Sequence, residues 1–163
     1  MRPVEVSTTV DTPRELVFDH LCDIANHAAF SDHYLEDFRL QRIDSRGVGA
    51  SACFRMAFPL GGLWGDCAIA EVERPFLIRM EGRMGRVGRI RTEAVYRLTP
   101  AGHGMTSVEY EFRAVSASAA DRLKEALGLR AWLRRQSARA LRRLAAALEQ
   151  DESHKGAVGV AAG

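Results

Sequence analysis

His20, His27 and His33 fall in one short segment with Asp19, Asp23, Asp32 and Asp37, a collection of side chains able to hold a metal or pass a proton. Their spacing argues against both uses. No two of the histidines stand four residues apart as in an H-E-x-x-H site, and a break near Asp23 keeps them off one continuous helix face. Capping or surface roles are expected for most of them, and no metal or other cofactor is expected. Cys22, Cys53 and Cys67 are widely separated without a C-x-x-C pair, which argues against a zinc site and a disulfide framework alike and points to reduced core thiols. No Ser-His-Asp or Cys-His set offers a nucleophile. Gly82 to Arg89 mixes glycine with arginine but lacks the strand-to-helix setting of a phosphate loop, so a hairpin turn is expected.

The remaining chemistry lies in phenols and a few charges. Tyr34, Tyr96 and Tyr110 can donate hydrogen bonds, and a buried phenol needs a partner, from backbone, water or ligand. Arg130 and Arg134 fall within or beside the apolar stripe of the helix that carries them, where an unpaired charge is costly. Either they snorkel to solvent, or one pairs with a ligand oxygen or a sheet carboxylate such as Asp66 or Glu93.

The elements that must position these groups show in the hydropathy pattern. The β-branched run Val4 to Val10 leads into a helix start, with Asp11 or Thr12 as candidate N-cap and Pro13 at the first helical position. A second short helical segment spans Ile24 to Tyr34, and residues 36–45 read as a strand. Strands separated by glycine or proline turns follow, too close together for crossover helices, so the sheet is expected to be antiparallel. Alternation gives one dry face: Phe54, Met56 and Phe58; Ile78 and Met80; Ile90, Thr92, Ala94, Tyr96 and Leu98; Val108, Tyr110 and Phe112. Phe58 to Asp66 reads as an apolar, glycine-rich hairpin loop carrying Trp64. Residues 118–150 form one long helical pattern with Ser118 as candidate N-cap and Leu123, Leu127, Leu133, Leu141, Leu144 and Leu148 at helical spacing; a bend or register shift at Gly128 would move the stripe toward Leu129, Leu133, Ala140 and Leu144. Arg135, Arg139, Arg142 and Arg143 fall on its opposite, solvated side. From Asp151 periodicity ends, so residues 151–163 read as a flexible tail and residues 1–150 as one domain.

A chain of 163 residues is long enough to bury a core or enclose a cavity. Its net charge of +2 is too small to imply a nucleic-acid partner, and no stretch approaches the roughly 20 apolar residues of a membrane span. With no apolar leader at the N-terminus, a cytoplasmic location is expected.

The opening Val4-Glu5-Val6-Ser7-Thr8-Thr9-Val10-Asp11-Thr12-Pro13, running into Arg14-Glu15-Leu16-Val17-Phe18-Asp19-His20-Leu21-Cys22-Asp23 and then Ile24-Ala25-Asn26-His27, carries a resemblance. Tyr96-Arg97-Leu98-Thr99-Pro100 and Met105-Thr106-Ser107-Val108-Glu109-Tyr110 extend it to a last hairpin, and a long helix closes it. In these features the chain resembles the START-like, or Bet v 1-like (SRPBCC), superfamily, in particular its polyketide cyclase/dehydrase and lipid transport branch. The resemblance implies an α+β helix-grip fold: a curved antiparallel sheet wrapped around a long C-terminal helix, with two short helices after the first strand. It also implies a cavity between sheet and helix for a small apolar or amphipathic molecule, lined by Phe54, Met56, Phe58, Trp64, Ile78, Met80, Tyr96, Tyr110 and Phe112. Arg130 or Arg134 would stand at its mouth, with His33 and Tyr34 at the edge of the opening.

Three functions follow from that resemblance. The first is binding of a polyketide-, lipid- or isoprenoid-like molecule by a monomer or homodimer, without stable membrane insertion. The second is a polyketide aromatase/cyclase or dehydratase, for which Tyr34, Trp64, Asp66, Tyr96, Tyr110 and Arg134 are the candidate catalytic residues. The strand after Trp64 reads Asp66-Cys67-Ala68-Ile69-Ala70, without the cavity arginine that aromatic cyclases of the family lead one to expect. The third is an adaptor or co-chaperone of the same fold, using the apolar hairpin or the basic helix face.

Overall fold

The computed structural model describes residues 2–59, 61–115 and 128–160. Strand β1, Val4–Val10, leads to helix α1, Arg14–Leu21, which buries Val17, Phe18 and Leu21. The helix is capped by Pro13, whose carbonyl accepts from the Leu16 and Val17 amides at 3.0 and 3.2 Å, not by Asp11 or Thr12. Thr12 is buried, and its carbonyl accepts from Thr106 Oγ1 at 2.7 Å, which ties the chain to the last strand. A 3-10 turn, Ile24–Asn26, is capped by Asp23 Oδ1 accepting from the Ala25 amide at 3.1 Å. Helix α2, His27–Ser31, follows directly.

Strand β2, Leu35–Leu40, is shorter than the 36–45 expected. Asp37 takes a φ of 53°, and the pairing slips between Glu36 and Arg39, so the ladder is interrupted early. Then come β3 (Ser51–Phe58), β4 (Gly61–Glu73), β5 (Leu77–Met84), β6 (Ile90–Gly102) and β7 (Met105–Val115). Among the described residues they form one sheet in the order β1-β7-β6-β5-β4-β3-β2. Every neighbouring pair is antiparallel. The expected loop from Phe58 to Asp66 is mostly strand, because Gly61 to Ala68 pairs residue by residue with β3 from the hairpin end.

Helix α3, Arg130–Val160, closes the fold and buries Leu133, Ser137, Ala140, Leu141, Leu144 and Leu148. Gly128, at a φ of 90°, stands just before it. The expected cap Ser118 and the stripe members Leu123 and Leu127 lie outside the described residues. The helix continues to Val160, past the point at which the apolar spacing ends. Arg135, Arg139 and Arg142 are exposed as the pattern requires, but Arg143 is not a free surface cation. It donates to Asp32 Oδ1, to His33 Nδ1 at 3.1 Å and to the Ala29 carbonyl at 2.9 Å, joining α3 to the end of α2. This is the helix-grip arrangement: a curled antiparallel sheet closed over one long helix.

Candidate ligand cavity

A row of small side chains crosses the inner face of the sheet. Ala52 pairs with Cys67, Cys67 with Gly82, Gly82 with Thr92, and Thr92 with Ala114, so β3 to β7 each present little volume at one level. Gly82 is fixed by geometry, since a Cβ there would lie 2.0 Å from the Asp66 carbonyl oxygen. In the next row Ala94 separates Met80 from Phe112, and in the row beyond it Tyr96 faces Tyr110. The rings of that last pair sit 4.8 Å apart between centroids.

The space left under α3 is a cavity of about 60 Å³. A single water needs about 10–15 Å³ by the same measure, so the space exceeds one water, yet it falls below the roughly 300 Å³ at which ligand pockets usually begin. The ligand-sized cavity expected from the sequence is therefore contracted. Large rings occupy the rest: Phe38 stacks on Phe54 at 6.2 Å, and Phe58 and Tyr34 pack against Trp132 at 5.1 and 6.3 Å.

The wall combines residues anticipated from the sequence with others that were not. Tyr34, Phe54, Met56, Met80, Tyr96, Tyr110 and Phe112 line the cavity. Phe58 does not reach it and packs on Trp132, and Ile78 is solid core. Trp64 and Asp66 lie on the convex face, because their register partners are Arg55, Cys53 and Arg83. Trp64 is 54% exposed, and Asp66 Oδ1 accepts from the Arg83 amide at 2.9 Å. Arg130 is exposed and donates through Nη2 to the Pro3 carbonyl at 3.1 Å. Arg134 is also exposed, in a surface groove beside Val6 and Tyr110. His33 does not line the cavity; its Nε2 donates to the Gln136 carbonyl at 3.2 Å.

His27, Ser31, Cys67, Glu81, Thr92 and Ser137 are the polar wall residues that sequence reasoning did not select. For His27 a signal existed: His27, Phe30, Ser31 and Tyr34 recur at helical spacing, and all four are buried. The His27 imidazole donates from Nε2 to the Leu21 carbonyl at 2.8 Å and meets the Tyr96 ring edge-on at 5.9 Å.

Burial drives every titratable wall group with a shifted pKa to its neutral form. It pulls His27 down to about 4 and pushes Cys67 up to about 12, where the nearby Asp66 charge adds to it. Tyr34, Tyr96 and Tyr110 are all raised by burial, with a hydrogen bond from Ser137 partly opposing the rise at Tyr34. Glu81 borders the space from an exposed position, its carboxylate paired with Arg79 on the convex side. The cavity can thus offer several hydroxyl donors and one imidazole to a guest, and no charge. Among the described residues no helix is long and apolar enough to cross a membrane.

Solved structures share this architecture at low identity, which establishes likeness of fold. The KanY protein superposes with a TM-score of 0.73 at 13% identity, over 90% of this chain and 97% of that one. A conserved protein from Geobacillus kaustophilus gives 0.67 at 15%, covering 91% and 95% of the two chains. DynU16, encoded in the dynemicin biosynthetic locus, gives 0.61 at 20%, over 91% of this chain and 48% of that one. Comparison with curated proteins gives no match. The family model described as polyketide cyclase/dehydrase and lipid transport matches residues 1–149. With the sheet, the closing helix and the largely apolar wall between them in place, that match identifies the chain as a member of this family.

Proposed function

We propose that this chain binds a neutral small apolar or amphipathic molecule between the sheet and α3. The observation that carries the reading is the wall itself: aromatic rings, three methionines and neutral hydroxyls converge there, and the one charged residue at its border, Glu81, has its carboxylate paired with Arg79 on the convex side. Burying apolar ligand area at about 25 cal/mol per Å² supplies the affinity, and the hydroxyls set orientation. Met56, Met80 and Met84 give the wall room to adapt, since an unbranched thioether repacks at low cost as a guest enters. Acid–base catalysis, as a cyclase or dehydratase would use, finds less support, because no wall group with a shifted pKa is poised near neutral pH.

Native mass spectrometry of protein purified from its own host tests the reading, together with displacement of a neutral apolar fluorophore by the co-purified compound. A neutral guest released on denaturation supports it. A chain that carries nothing and takes up no neutral apolar probe at millimolar concentration overturns it.

A further inference from the structure

The His27 imidazole is the one nitrogen-bearing side chain among the described residues that line the cavity. A carbonyl can only accept, so the 2.8 Å contact between His27 Nε2 and the Leu21 oxygen places the ring proton on Nε2. In the neutral ring Nδ1 is then a bare lone pair, and no hydrogen bond to it is described. The ring is held in that setting from three sides. Phe30 lies 5.2 Å from it on the same helix, Tyr96 meets it edge-on at 5.9 Å from the sheet, and Leu21 fixes its far nitrogen.

The other polar wall groups are the hydroxyls of Ser31, Tyr34, Thr92, Tyr96, Tyr110 and Ser137 and the Cys67 thiol, while the Glu81 carboxylate at the border is paired with Arg79 on the convex side. Each hydroxyl can donate, and a phenol oxygen accepts less readily than an imidazole nitrogen. Resting on the binding function proposed above, we infer that His27 Nδ1 is a specificity-determining acceptor, selecting guests that present a neutral aromatic or enolic hydroxyl over otherwise equal guests that lack one. The tyrosine hydroxyls are left to donate to a carbonyl on the same guest. Burial keeps the imidazole neutral across the ordinary pH range, so the acceptor is not lost to protonation. The guest hydroxyl keeps its proton, and the contact is a hydrogen bond without transfer.

Phenol and toluene, nearly equal in shape, are the probes. A dry cavity of about 150 Å³ admits benzene, so a ring of this size requires the about 60 Å³ here to more than double through movement of the methionine-rich wall. With ¹⁵N-histidine-labelled protein, phenol is expected to shift the His27 Nδ1 resonance upfield while Nε2 keeps its protonated position, and toluene is expected to leave Nδ1 in place. Titration is expected to show phenol bound about tenfold more tightly than toluene, a difference equal to 1.4 kcal/mol. His27→Phe should erase that preference, so that the variant no longer binds phenol more tightly than toluene. The NMR shift of the unaltered protein carries the test if this variant folds poorly. Equal binding of both probes, or phenol binding without a shift at Nδ1, overturns the role of His27 and leaves the binding function standing. Binding of neither probe removes both.

Discussion

Arg143 donates from Nη1 to His33 Nδ1 at 3.1 Å, so that nitrogen is bare and the ring proton sits on Nε2, directed at the Gln136 carbonyl. One guanidinium and one imidazole thereby join α3 to the segment after α2 at two points about two turns apart on the long helix. The Arg143 hydrogen bond is also the first cause holding Asp32 below the usual carboxylate range. Since α2 carries His27 and Phe30 into the cavity wall, this clamp sets how firmly that wall is held against α3.

Arg143→Met is expected to lower stability by about 1–2 kcal/mol, which is the roughly 1.5–3 kcal/mol of hydrogen bonds to charged groups reduced for the solvent exposure of Asp32. It should also raise amide exchange across α2 more than across β6 and β7. Urea unfolding and hydrogen exchange read these two effects. Unchanged exchange in α2 would show that the clamp is idle.

Both imidazoles that join α2 to its surroundings, His27 and His33, lie below their ordinary pKa, with burial the first cause in each. At His33 the charges of Arg139 and Arg143 add to the lowering, while the Gln136 carbonyl and Asp32 oppose it. The sign follows directly: as pH falls through about 6.5 the unfolded chain takes up protons that the folded chain refuses, so folding weakens. For His27 the loss runs from about pH 6.5 down to its folded value of about 4 and then levels off, at about 3 kcal/mol in all. Urea midpoints between pH 7 and pH 4 should decline more steeply in the natural protein than in His27→Phe. Parallel profiles would contradict the buried neutral imidazole.

The fold was legible because its signals are additive. Alternation on β3, β5, β6 and β7 and the leucine spacing of α3 each repeat over many residues, so one local exception leaves the pattern intact. The cavity was only partly legible, because its shape depends on register, and register is a relation between strands. Nothing in the local sequence around Cys67, Gly82 or Thr92 says that they fall level with one another. Trp64 and Asp66 were misplaced for the same reason. Read as a loop, Gly61 to Gly65 has no inside or outside, whereas pairing Arg55 with Trp64 puts Trp64 on the convex face.

Arg134→Met and Arg130→Met are expected to leave uptake of both neutral and acidic probes unchanged within about twofold. Arg130 is spent on the Pro3 carbonyl, and Arg134 is exposed in a groove outside the inner wall. An exposed cation in water adds little to a contact made elsewhere. Fluorescence displacement with a neutral and an anionic apolar dye reads this directly. Selective loss of the anionic dye in Arg134→Met would instead extend the binding site across Tyr110 into that groove.

Two substitutions on neighbouring rows separate real free space from ordinary close packing. Ala94 lines the cavity between Met80 and Phe112, so the two added carbons of Ala94→Val enter space that is already empty. Stability should change by less than about 1 kcal/mol, while uptake of toluene should fall severalfold. Gly82→Ala adds one carbon fewer yet meets backbone, with its Cβ at 2.0 Å from the Asp66 carbonyl oxygen, which cannot rotate away as a side chain could. It should cost about 1–3 kcal/mol, the range for overpacking, because β4 and β5 must part for it to fit. The ordering runs against substituent size, and that makes it diagnostic. If Ala94→Val proves as damaging as Gly82→Ala, the side chains around Ala94 are close-packed and no guest is accommodated at that level of the sheet.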